Sequence, residues 1–146
     1  MDGKLFLGTA RFLKDKGRDE AAYRSAISRA YYACFLSARH VAFRNLDTQT
    51  RLAAQLKNER SIRHDKLPTW LKNCRTAAVR KLGDDLAGLC LNRSDADYDM
   101  ARIICEPDAQ EAIAEADRLL KALDGISPLD LGKEIGNHLL STHAHP

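Results

Sequence analysis

Apolar positions recur every three to four residues along most of the chain, the spacing that lets an α-helix bury one face. Leu5, Phe6, Thr9, Phe12 and Leu13 mark one face of a first helix, and Gly17 is a natural stop just beyond it. Asp19 is placed to cap a long second helix over about residues 20–45, whose main stripe includes Ala26, Ile27, Ala30, Tyr31, Cys34 and Phe35. The stretch "LDTQT" then breaks the pattern. Residues 51–73 are less regular: "RLAAQLKNER" reads as a flexible or weakly helical connection. "SIRHDKLPTWLKN" reads as a short helical segment that re-enters helix near Pro68. The spacing predicts a further helix over about 75–96, with Ala78, Val79, Leu82, Leu86, Leu89 and Cys90 on its core side. Pro107 suits the first turn of the next helix, which buries Ala112, Ile113, Ala116, Leu119, Leu120 and Leu123 and ends at Gly125.

Beyond Ile126, Ser127 and Pro128 can start one more short helix with a weak apolar edge at Leu131, Ile135 and Leu139, followed by a mobile tail. No β-like alternation, internal repeat or low-complexity tract interrupts the sequence. The expectation is an all-α protein: a four- to five-helix up-and-down antiparallel bundle over residues 1–125, then a C-terminal extension over 126–146.

The second helix carries a second stripe, Ser25, Arg29, Tyr32, Leu36, Arg39 and Phe43, again at spacings of three to four. A surface helix buried on one side has no need of it. Either the helix is central, or Tyr32, Leu36 and Phe43 meet a second copy of the chain. A homodimer with this helix near its two-fold axis would bring Arg29 and Arg39 to a shared cleft.

Charge changes the picture more than composition does. The 146 residues carry a net charge of only +3. Residues 51–81, however, hold nine Lys or Arg against two acids, and residues 82–117 hold two Arg against ten acids. The basic block, with Arg60, Arg63 and Lys66 at its centre, is a candidate surface for RNA or an acidic partner. The alternative is that the two blocks face each other or are simply solvated. No apolar run approaches the length of a membrane span, and no basic segment precedes a long apolar one at the N-terminus, so a cytoplasmic protein is expected.

The four cysteines, at 34, 74, 90 and 105, lack C-x-x-C spacing, so no zinc site is expected. Cys34 and Cys90 fall on apolar stripes and read as core residues. His138, His143 and His145 read as surface tail residues rather than metal ligands, and Trp70 as an anchor for its short segment. "GKEIG" lacks the phosphate-loop pattern, so no nucleotide cofactor is expected.

Three stretches in order, "SAISRAYYACFLSARHVA", "IRHDKLPTWLKN" and "LAGLCLNRSDADYDM", resemble the HEPN family of small helical domains. The first is similar to the family's A-x-x-R-x-Y-Y-x-x-F element, the third to its R-x-x-A-D-Y element, and the likeness spans roughly residues 3–123. It implies a four-helix bundle, usually dimeric. Many members are ribonucleases of toxin–antitoxin, CRISPR or phage-defence systems, in which Arg, four to six residues, then His meet across a dimer as one metal-independent site. Others sit beside a small nucleotidyltransferase, and some lack the motif and are non-catalytic.

Here the motif is absent. No histidine has an arginine five, six or seven positions before it; the nearest case is Arg60 before His64. In its place stand Arg93, four residues, and Tyr98. Histidine suits proton transfer because its pKa lies near 6.5, whereas a phenol, near 10, is a poor base. Arg93 has the geometry to clamp a phosphate, but Asp97 stands four residues on and can pair with it on a helix. The leading expectation is a dimeric RNA- or partner-binding component of a prokaryotic toxin–antitoxin or phage-defence module, with a nucleotidyltransferase-type protein as a possible partner. One alternative is a ribonuclease using Arg93, Tyr98 and His64. Others are a helical scaffold and a Tyr98 that a partner enzyme nucleotidylates.

Overall fold

The computed structural model describes residues 2–143. The described residues are all helix and connection: α1 (Lys4–Gly17), α2 (Glu20–Asn45), α3 (Thr48–Ala53), a 3-10 turn (Glu59–Ser61), α4 (Lys66–Lys72), α5 (Ala77–Tyr98), α6 (Glu106–Asp124) and α7 (Pro128–His143). The all-α expectation holds; six of the seven α-helices lie within residues 1–125, where four or five were expected, and α7 is the one expected in the extension. The chain forms two compact units, Met1–Ser37 with Asp85–Lys121, and Ala38–Asp84 with Ala122–Pro146.

In the first unit, small side chains on α2 allow close packing: Ala26, Ala30, Ala33 and Cys34 are fully buried beside Tyr31 and Phe35. α1 approaches at Gly3, where an added Cβ would lie 2.3 Å from the Ser37 hydroxyl. α6 contributes Ala112, Ala116 and Leu119, and the Cys34 thiol donates to the Ala116 carbonyl at 3.5 Å. Burial pushes that thiol up to about 12, which leaves it an inert core residue at neutral pH. Two positions expected on the core side of α5 are not fully buried: Ala78 is exposed and Cys90 half-buried.

The end of α1 differs from the expected glycine stop. Gly17 is the last helical residue, and the left-handed turn falls on Arg18, at φ 52° and ψ 29°. The glycine serves packing instead. A Cβ on residue 17 would stand 2.2 Å from the Ala22 Cβ, so the glycine is needed for the close approach of α2.

The second unit contains the stretch whose pattern looked broken. Asp47 caps α3: its carboxylate accepts from the Thr50 amide at 2.7 Å, and this bond holds the carboxyl below the usual range. Thr50 is 1% exposed, a buried polar residue in an otherwise apolar core. α4 begins at Lys66, two residues before Pro68. Proline is tolerated at that third position because the first helical amides have no intrahelical acceptor anyway.

The tail helix is longer than expected. α7 runs sixteen residues and packs on α3 and α4, with Leu131, Ile135 and Leu139 at most 2% exposed. Gly132 makes the approach possible, since a Cβ there would meet the Asn45 carbonyl oxygen at 2.2 Å. Glu134 accepts from the Thr76 amide at 2.6 Å, tying α7 to the start of α5. The expected mobile tail falls on residues 144–146, which lie outside the described residues.

Candidate functional site

The "NRSDADYD" element closes α5, in the first unit. Arg93 turns inward: its side chain is 14% exposed, its guanidinium carbon lies 5.3 Å from the Tyr31 ring centroid, and Nη1 is 3.6 Å from Asp97 Oδ2. Its Nε is buried without a hydrogen-bond partner. Asp97 also accepts from the Ser28 hydroxyl at 3.5 Å, so the pair ties α5 to α2. Burial, with the Cys90 thiol beside it, pushes the Tyr31 phenol far up, so it stays protonated.

Tyr98 lies outside this packing. Its ring centroid is 6.0 Å from the Arg93 guanidinium carbon, and the residue is 73% exposed. A structural role for Arg93 and Asp97 therefore does not extend to a packed Tyr98 ring.

The second stripe of α2 meets segments of the same chain. Tyr32 contacts Phe6 of α1 at 6.5 Å between ring centroids, and Arg29 stands 5.7 Å over the same Phe6 ring. Phe43 is covered by Arg51 of α3, whose guanidinium carbon lies 4.1 Å from the ring centroid and whose Nη2 donates to the Phe43 carbonyl at 2.6 Å. Within the chain, Tyr32, Leu36 and Phe43 are each half-buried. Arg29 and Arg93 stand at opposite ends of one ladder of rings, Phe6, Tyr32 and Tyr31, while Arg39 belongs to the second unit.

In the second unit, Arg60, Arg63 and Lys66 are all exposed, and His64 is half-buried. Arg63 approaches Asp65 at 3.5 Å, but both side chains are well exposed and the pair is weak. The Glu59 carboxylate, beside Arg60, lies 2.7 Å from His40 Nδ1 and accepts from it in the tautomer that carries the proton there. Trp70 is half-buried on α4. The unit holds twelve basic against seven acidic residues, and the first unit eleven against thirteen.

The most heavily engaged polar group is one whose role the sequence did not reveal. Arg24, 11% exposed, donates from Nε and Nη2 to Glu20 Oε1 at 3.0 and 2.8 Å. Nη1 donates to the carbonyls of Asp95, Ala96 and Asp99 at 3.3, 2.9 and 3.0 Å, and Nη2 to that of Arg102. The Asp95 carbonyl also accepts from the Asp99 amide at 2.9 Å; the guanidinium adds donors at this helix end, and a cation there also offsets the helix dipole. Glu20 in turn accepts from the Ile104 amide at 3.3 Å; with Arg24 as the larger cause, these bonds hold its carboxyl below the usual range. Its i, i+4 spacing from Arg24 was the one local signal.

Among the described residues, no three His, Cys, Asp or Glu side chains gather as a metal-binding group. His138 is half-buried in α7, while the His143 side chain and His145 lie outside what the structure describes. No described helix is long and apolar enough to cross a membrane. No family model, curated protein or solved structure matches this chain.

Proposed function

We propose that this chain is a HEPN-like component of a prokaryotic toxin–antitoxin or phage-defence module that binds RNA through the basic surface of its second unit. The observation that carries the RNA-binding part is the exposure of Arg60, Arg63 and Lys66 within a unit whose basic residues outnumber its acids twelve to seven. Exposed cations on long side chains suit phosphate contacts, which need charge rather than a shaped pocket. Membership of such a module rests on the resemblance of the three sequence stretches. So does a nucleotidyltransferase-type partner; the homodimeric state rests on the resemblance and on the second stripe of α2, and the cytoplasmic location on the lack of a long apolar run in the sequence.

A ribonuclease reading for Arg93, Tyr98 and His64 has less support. Arg93 is directed to Asp97 and Tyr31, so clamping a phosphate would require it to leave those contacts. Tyr98 remains accessible, which keeps nucleotidylation of its hydroxyl compatible with the geometry.

The test is binding of single-stranded RNA over a salt series. Replacing Arg60, Arg63 and Lys66 together by Gln is expected to weaken binding and to reduce the slope of log affinity against log salt by about 2, the value for three lost phosphate contacts. Absence of binding at low salt would leave the scaffold reading in its place. Sedimentation of the same protein reports whether it dimerises.

A further inference from the structure

Where α1 gives way to α2, Lys14, Asp15, Lys16, Arg18, Tyr23 and Glu106 line an open cavity of about 470 Å³. Its two carboxylates already have a cation. Lys14 Nζ lies 2.5 Å from Asp15 and 4.0 Å from Glu106, and the Lys14 side chain is only 13% exposed. The other donors are differently placed. Arg18 uses Nε to reach the Asp15 carbonyl at 3.2 Å. The two Nη groups of Arg18, the Lys16 ammonium and the Tyr23 hydroxyl have no hydrogen-bond or ion-pair partner among the described residues. The lining thus holds three cations against two anions, with its anions engaged and most of its donors unused.

The backbone supplies an independent observation. Arg18 occupies the left-handed region, at φ 52°, where glycine is at ease and a side chain is strained. The neighbouring Gly17 does not take that turn: it is the last helical residue, and a Cβ there would stand 2.2 Å from the Ala22 Cβ. An arginine at a backbone position that favours glycine, on the wall of a cavity with unused donors, points to work for its guanidinium.

We propose that this corner binds a phosphate group, with the Arg18 guanidinium and the Lys16 ammonium as charge-assisted donors and the Tyr23 hydroxyl as a third. A guanidinium fork matches two phosphate oxygens, and a singly charged phosphate would balance the one excess positive charge. The phosphate belongs either to a small phosphorylated molecule or to the end of an RNA chain. The site lies in the first unit and uses none of the residues assigned to RNA binding in the second, so the two proposals fail separately.

The experiment is calorimetric titration of the full chain with inorganic phosphate at low salt, for the parent, Arg18→Gly and Lys16→Gln. Saturable binding is expected in the parent, weakened about tenfold or more in each variant. Arg18→Gly is expected to melt at or above the parent temperature, because glycine suits this turn. Should it melt lower, Lys16→Gln, on the exposed last turn of α1, decides. Oligoribonucleotides with a 5′-phosphate or a 5′-hydroxyl distinguish the sources. A preference for the phosphorylated end that disappears in Arg18→Gly assigns the site to RNA termini, and equal binding assigns it to a small phosphorylated molecule. No saturable phosphate binding in the parent, or unchanged binding in the deciding variant, overturns the proposal.

Discussion

Two arginines of the first unit, Arg24 and Arg93, act as internal ties, whereas Arg60, Arg63 and Lys66 of the second are displayed to solvent. Arg24 and Arg93 are 11% and 14% exposed and engaged with carbonyls, carboxylates and rings. Arg60, Arg63 and Lys66 are exposed. Apolar exposure runs the other way. Leu5, Phe12, Leu91, Tyr98, Met100 and Ile103 are the large exposed apolar side chains of the first unit, against Leu52, Leu129 and Leu140 in the second. The contrast shows that an arginine's part is set by what surrounds its stem and head, not by the local charge balance. Arg93 sits in the acidic block, where pairing was foreseeable. Arg24 acts mainly on carbonyls that carry no formal charge.

The comparison is broken most directly at Arg24. Replacing it by Met keeps the stem but withdraws the guanidinium from the carbonyls of Asp95, Ala96, Asp99 and Arg102, of which Asp95 keeps the Asp99 amide as donor. A loss of about 3 kcal/mol is expected in urea unfolding, in the range for removing one member of a buried charged network. A loss below about 1 kcal/mol would mean that water replaces the guanidinium freely.

Arg93→Ala is expected to destabilise by about 2 kcal/mol, through the lost Asp97 pair and the lost stacking on Tyr31. Arg63→Ala, the matching change in the second unit, should alter stability by no more than about 0.5 kcal/mol. Thermal unfolding of the two variants side by side measures the difference between an arginine that ties and one that is displayed. Equal melting temperatures would erase the distinction.

The smallest effect sharpens the second unit. The Asp47 carboxyl is held below its usual range by the Thr50 amide, so its capping contribution is complete above the unfolded value near 4 and fades as pH falls through the folded value. Asp47→Ala should therefore lower the melting temperature at pH 7, and its difference from the parent should shrink as the pH is taken below about 4. A difference that stays constant with pH would assign the effect to something other than the charged cap.

Much of the helix layout was legible before any coordinates. The patterns around Leu5–Leu13, Ala26–Ala42, Val79–Leu89 and Ala112–Leu123 each fall within a helix. α3 was not legible, because its six residues span fewer than two turns and carry too little pattern to distinguish from a connection. α7 was visible only as a weak edge at Leu131, Ile135 and Leu139. Its sixteen-residue length follows from packing on α3 and α4, and so depends on a partner that the pattern also left obscure. The candidate residues divide in the same way. The Arg93–Asp97 pair was readable because its members are four residues apart. The covering of Tyr32 by Phe6 and of Phe43 by Arg51 was not.

By itself the sequence determined the all-helical class, most of the core faces of α2, α5 and α6 and the separation of basic from acidic segments. Each is a property of composition or of spacings within two turns, where backbone geometry alone relates the side chains. On α1 the sequence marked Leu5, Thr9 and Phe12, which are exposed, where Leu7 and Ala10 are the buried residues. Tertiary structure decided which arginines turn inward, and how α7 joins the second unit; the left-handed turn falls on Arg18 rather than Gly17. Arg24 meets carbonyls 71 to 78 residues further along the chain. No periodicity records such a meeting, because it exists only once helices distant in sequence have packed together.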